Sequence, residues 1–120
     1  MNILVTHAMH AITWTALRVT TPLRAHALAQ FMAARLPPVD AEDAKALLEK
    51  VSPWGSCLSQ ALTVASRLPG ARVAIGVTPG GSPFGHAWVE CNGAPLRPTD
   101  PRGFVIARLQ PVRTGEPSMC

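Results

Sequence analysis

From residue 3 to residue 36 the apolar positions Ile12, Ala16, Val19 and Leu23, then Ala27, Leu28, Phe31 and Leu36, recur in steps that fit one face of a helix. Pro22 divides this stretch into two helices, and Pro37 and Pro38 close the second. Asp40 is placed to cap a third helix running from 41 to about 50, with Asp43 in the capping-box slot that Glu or Gln usually fills. The helical pattern breaks at Ser52-Pro53-Trp54-Gly55-Ser56 and resumes over residues 57–68, with Leu58, Ala61, Leu62 and Ala65 on one side. Beyond Pro69-Gly70, strands are predicted over 71–77, 86–91 and 94 to about 99, the last two joined by an Asn92-Gly93 turn. Residues 113–120 are polar with Gly and Pro, and are expected to be loose.

Helices followed by short strands in 120 residues describe a single α+β domain with one core and one site. The net charge of +4 comes from scattered arginines, with no Lys/Arg run and no interleaved aromatics. That pattern gives no support to nucleic-acid binding. Three cysteines, Cys57, Cys91 and Cys120, form no C-x-x-C pair, so no metal site is expected and reduced thiols in a cytoplasmic protein are the default. The first 23 residues carry His7, His10 and Arg18 and lack a basic start or a small-residue cleavage site, so neither a signal peptide nor a membrane span is read there.

Cys57 falls in the first turn of the fourth helix. Unpaired N–H groups and the helix dipole favour negative charge at that place, which suits a nucleophilic thiolate; a buried structural cysteine is the alternative. In the strand His86-Ala87-Trp88-Val89-Glu90-Cys91, residues His86, Trp88 and Glu90 share one face and Ala87, Val89 and Cys91 the other. Cys91 therefore points away from His86, leaving Cys57 as the thiol partner and Cys91 as apolar filler. A triad also needs a group to orient the imidazole. Asp100 is the candidate, with Glu90 as the alternative and a plain Asp100-Pro101 turn as the bland reading. A two-residue turn at Asn92-Gly93 would set His86 opposite Thr99 and send Asp100 to the wrong face. Use of Asp100 thus requires a three-residue loop with Gly93 left-handed, or a bulge near Pro98.

Ser56-Cys57-Leu58 opening a helix that contains Ala61-Leu62, then Ile75-Gly76-Val77, Pro83-Phe84, and the block from His86 to Glu90 followed by Gly93, together resemble the lasso-peptide leader peptidases. These are the B proteins of lasso-peptide biosynthesis, in the transglutaminase-like superfamily. The resemblance runs from about residue 44 to 109. The family's basic run after the cysteine helix is reduced here to Arg67 and Arg72.

The resemblance implies a papain-like core, with a helical N-terminal half packed on a small antiparallel sheet. It implies a Cys-His-Asp peptidase that cuts the leader from a ribosomally made precursor so that a separate macrolactam cyclase can close the ring. Cys57 would be the nucleophile, His86 the general base and Asp100 the orienting acid, with no cofactor. In this family a recognition-element domain captures the leader, either fused ahead of the protease or as its own protein. Residues 1–50 read as helical rather than as that strand-rich domain, so the recognition protein is expected as a separate partner. The expected layout is one domain over 1–112, comprising a helical part (1–50) and a catalytic core (51–112), and a flexible tail over 113–120. A catalytically silent scaffold that binds precursor or cyclase would use the same fold. Amide-bond chemistry at Cys57 would take its oxyanion donors from N–H groups at the helix start, with Trp54 and Trp88 as candidate walls of the cleft.

Overall fold

The computed structural model describes residues 3–51, 54–77, 86–97, 104–109 and 118–120. Helices α1 (Ile3–Val19), α2 (Pro22–Ala33), α3 (Ala41–Val51) and α4 (Cys57–Arg67) precede strands β1 (Arg72–Val77), β2 (His86–Cys91), β3 (Ala94–Pro95) and β4 (Phe104–Leu109). The breaks fall where local chemistry puts them. Pro22 stands in the first turn of α2, where a missing N–H costs nothing, and the Thr21 hydroxyl accepts from Arg24 N at 3.3 Å. Asp40 Oδ1 accepts from Asp43 N at 2.8 Å and caps α3.

The strands form one antiparallel sheet in the order β3-β2-β1-β4. On its apolar face Val73, Ala87 and Val89 pack against α4, whose Leu62 and Val64 are fully buried together with Leu47 and Val51 of α3. From Ala61 to Arg67 every residue of α4 is buried, because the sheet covers one side of this helix and α1 and α2 cover the other.

The expected faces of α1 and α2 require correction. Ile12, Val19, Leu23 and Phe31, on the face predicted from apolar spacing, are exposed, Val19 at 75%. The buried side of α1 is instead Thr6, Met9, His10, Thr13 and Ala16. The reason lies in the partner: toward α1, α4 turns Ser59 and Arg67, which need hydrogen bonds rather than hydrocarbon. His10 Nε2 lies 2.8 Å from Ser59 Oγ, and Arg67 Nη1 donates to Thr6 Oγ1 at 2.8 Å. Helix α2 buries small residues, Ala25, Ala29 and Ala33, that allow close approach.

The hairpin between β2 and β3 also departs from expectation. Asn92 (φ 53°) and Gly93 (φ 79°) are both left-handed and make a two-residue turn that pairs Cys91 with Ala94 and Glu90 with Pro95. Gly93 is left-handed as expected, but the three-residue loop is absent and the plain register persists to Leu96, whose N donates to Val89 O at 2.8 Å. Pro98, Asp100 and Pro101 lie outside the described residues. Strand β4 is an element that the sequence reading did not anticipate. It pairs with β1 rather than with a sequence neighbour, and its register shifts between Ile75 and Gly76.

Reduced thiols were the default expectation, yet Cys91 and Cys120 form a disulfide, with Cα atoms 5.3 Å apart. Met119 N donates to Pro69 O at 2.9 Å, so residues 118–120 are held against the α4–β1 turn. Cys91 does face away from His86, but it is a cross-link rather than mere filler. The two were not paired from sequence because the fold, not their spacing, brings the chain end to β2.

Candidate active site

Cys57 is the first residue of α4. Ser56, in extended conformation, caps the helix: its hydroxyl accepts from Ser59 N at 3.1 Å, while Ser59 Oγ accepts from Ser56 N at 3.0 Å. This reciprocal box fixes the turn from which the Cys57 side chain emerges. Gly55, at φ +81°, brings the chain into the cap.

His86 opens β2, and its ring stacks on that of Trp88, two residues along the same strand face, with centroids 5.8 Å apart and planes 27° apart. Between them Ala87 turns its side chain into the core and its amide outward along the strand edge. Leu96 N bonds Val89 O on that edge; two residues nearer the start of β2, Ala87 N donates to Cys57 Sγ at 3.4 Å. Helix α4 and strand β2 are thereby joined at the thiol itself.

Cys57, His86, Ala87, Trp88 and Gln60 open onto one cavity of about 480 Å³, with Leu48 and Val89 as apolar wall and Arg97 at its margin. The fold thus brings the two main residues inferred from sequence to a single concavity. Trp88 is in its wall. Trp54 is not among the lining residues: its ring lies 4.0 Å from that of His10 and 6.5 Å from that of Trp14, packed on α1.

Glu90 is engaged away from the imidazole. It lies four residues along β2 from His86, about 13 Å at strand spacing, and its Oε1 accepts from Arg108 Nε at 2.8 Å. Glu90 stands opposite Arg72, and Arg108 opposite Ala74, so the pair meets diagonally across β1 over a side chain small enough to allow it. The hydrogen bond to Glu90, and then its charge, hold the Arg108 guanidinium above its ordinary pKa. Asp100, the other candidate, is outside the described residues.

Arg67, one of the two residues left of the family's basic run, faces inward. It is buried and donates to Thr6 Oγ1 and to Pro37 O at 3.0 Å, tying α4 to α1 and to the α2–α3 connection, so it is not a substrate-facing charge. Sequence reading missed three further features: the Ser56/Ser59 box, the Ala87 amide and His10. The box was visible in principle as two hydroxyl residues three apart at a helix start. The other two had no local signal.

A family model described as the transglutaminase-like superfamily matches residues 3–108. The chain belongs to the transglutaminase-like superfamily. The match takes in α1 through nearly all of β4, and with it both Cys57 and His86. The superfamily includes cysteine peptidases, and four helices with a four-stranded antiparallel sheet, as described here, are consistent with such a domain. No curated protein and no solved structure matches the chain. Among the described residues of this transglutaminase-like domain, no helix is long and apolar enough to cross a membrane. No group of three or more His, Cys, Asp or Glu among them could hold a metal ion.

Proposed function

We propose that this transglutaminase-like protein is a cysteine peptidase that removes the leader from a lasso-peptide precursor, with a separate leader-recognition protein and a macrolactam cyclase as partners. The observation that carries the peptidase reading is the shared cavity of Cys57 and His86, with the Ala87 amide aimed at the sulfur. The lasso-peptide part rests on the resemblance in the residues around Cys57 and in the block from His86 to Glu90.

In the proposed reaction His86 accepts the Cys57 thiol proton and the sulfur attacks the scissile carbonyl carbon, forming the C–S bond. The carbonyl oxygen becomes an oxyanion, for which the first-turn amides of α4 not used by the Ser56/Ser59 box, that of Cys57 among them, are the candidate donors. Collapse breaks the C–N bond, and the imidazolium returns its proton to the leaving amine, the new N-terminus of the core peptide. Water, deprotonated by His86, then cleaves the thioester, freeing the leader carboxylate and restoring the thiol. Asp100 is assigned to orient His86 and stabilise its charged form.

Ile12 and Val19, exposed on α1, line one surface groove with Leu28 of α2, and such a grouped apolar surface supports a protein partner. The test is cleavage of purified precursor by the protein together with its recognition partner. Cleavage lost in Cys57→Ala supports the peptidase; precursor binding without cleavage by the native protein supports a silent scaffold instead.

A further inference from the structure

We propose that His10 is a positioning residue for Cys57, acting from α1 through the cap of α4. This rests on reading Cys57 as the nucleophile, and it adds a residue 47 positions away in sequence that is not among those lining the cavity.

The Ser56/Ser59 capping box is unusual in its second member. Its reaching-back position, three residues after the N-cap, is usually filled by Glu or Gln, whose side chain is long enough to find the N-cap amide by itself. Here it is filled by Ser59, with a short rotor that has other partners within reach. Ser59 Oγ donates to Ser56 O at 2.9 Å and accepts from Ser56 N at 3.0 Å, so its only hydrogen is already used. The 2.8 Å contact with His10 Nε2 then requires that nitrogen to donate. His10 Nδ1 is buried without a hydrogen-bond partner, so a proton there would be an orphaned donor. Both conditions are met by a neutral ring carrying its proton on Nε2. In that state the hydroxyl accepts two hydrogen bonds and donates one, which leaves it a single orientation.

The surroundings hold the ring in place. His10 is completely buried, and the Trp54 ring covers it at 4.0 Å between centroids. Gly55 closes the other side so tightly that a Cβ there would come 2.7 Å from His10 Nε2 and 2.8 Å from Ser59 Oγ. Burial, and then the charge of nearby His7, lower the His10 pKa to about 4, which keeps the ring neutral near pH 7. Cys57 lies within this clamped turn, between Ser56 and Ser59, and its sulfur meets the Ala87 amide at 3.4 Å. Without the His10 donor, Ser59 Oγ is free to turn to other acceptors, the first turn of α4 loosens, and the sulfur loses its fixed place at the cavity.

The experiment measures the rate of Cys57 alkylation by iodoacetamide against pH, and cleavage kinetics, in His10→Leu, His10→Gln and Ser59→Ala. His10→Leu keeps much of the volume but removes the donor. It is expected to slow cleavage between about tenfold and a hundredfold in kcat with KM little changed, and to move the alkylation profile to higher pH. His10→Gln, whose Nε2 can donate to the same hydroxyl, should recover most of both. Ser59→Ala should match His10→Leu, and the double variant should be no worse than either single one. Should His10→Leu fail to fold, the Gln and Ser59 variants decide the matter. A folded His10→Leu or Ser59→Ala protein with the native alkylation profile overturns the proposal. Failure of the peptidase reading is seen separately, as cleavage surviving in Cys57→Ala, and the alkylation profile tests the positioning role without any peptide substrate.

Discussion

The backbone amide of Ala87 donates to the sulfur of Cys57 across 3.4 Å. That contact joins the first residue of α4 to the second residue of β2, and it places His86, the preceding residue, at the same cavity. It requires three separate pieces of structure: a capped helix start, a strand edge open at Ala87, and the packing of α4 on the sheet.

Cys57 is the free thiol among the three cysteines. Native protein kept without reductant should take up one carbamidomethyl group, at Cys57, and two more only after reduction and unfolding. Alkylation of Cys91 or Cys120 in the unreduced native protein would contradict the pairing. Cys57→Ala should abolish precursor cleavage while leaving the thermal midpoint within a few degrees of the native value.

Replacing the proposed triad residues should separate chemistry from binding. His86→Ala should match Cys57→Ala, and Asp100→Asn should lower the cleavage rate by up to about 10⁴ with precursor affinity little changed. Glu90→Gln should leave the rate within about twofold, because four residues of strand, about 13 Å, separate it from His86. A large loss of rate in Glu90→Gln, with native Asp100→Asn kinetics, would reverse the assignment.

Removal of the Cys91–Cys120 cross-link should be costly. The bridge spans 29 residues, for which loop-closure entropy gives about 3–4 kcal/mol. Cys120→Ser should therefore lower stability by an amount of that order in urea unfolding, and Cys91→Ala by a similar amount, since both side chains pack on the core. An unfolding midpoint unmoved by reductant would show that the bridge contributes nothing.

Stability should fall on acidification. His10 has a folded pKa lowered to about 4 from an ordinary 6.5. Between those values the unfolded chain binds a proton that the folded one does not, so stability rises with pH across the window and is lost as pH falls from about 6.5 to 4. The full shift corresponds to about 3 kcal/mol. His10→Gln should remove this component from a urea-midpoint series taken from pH 7 to pH 4; an unchanged slope in that variant would place the titration elsewhere.

Gly55→Ala should be disproportionately harmful for a single methyl group. A side chain at φ +81° is strained, and its Cβ would meet both His10 and Ser59. The expected loss is about 1–3 kcal/mol from the backbone alone, with slower Cys57 alkylation. Native stability and reactivity together would show that the turn can relax without cost.

Local pattern was enough for much of the frame. Pro22 and Asp40 set helix starts because a missing N–H and a side-chain cap act within a few residues. The alternation from His86 to Cys91 set which side chains share a face, since strand geometry has a period of two, and the superfamily could be recognised from residues around Cys57 and His86. Spacing also showed that α1 and α2 are helices, but not which face is buried. That was decided by α4, whose Ser59 and Arg67 demand polar partners and draw Thr6 and His10 inward while Ile12 and Val19 face outward. The Cys91–Cys120 pair, the β1–β4 pairing and the His10–Ser59 contact were likewise matters of tertiary structure. Each joins residues brought together only when the core closes, and hydrogen bonding or covalent linkage across such distances leaves no periodic trace in the chain.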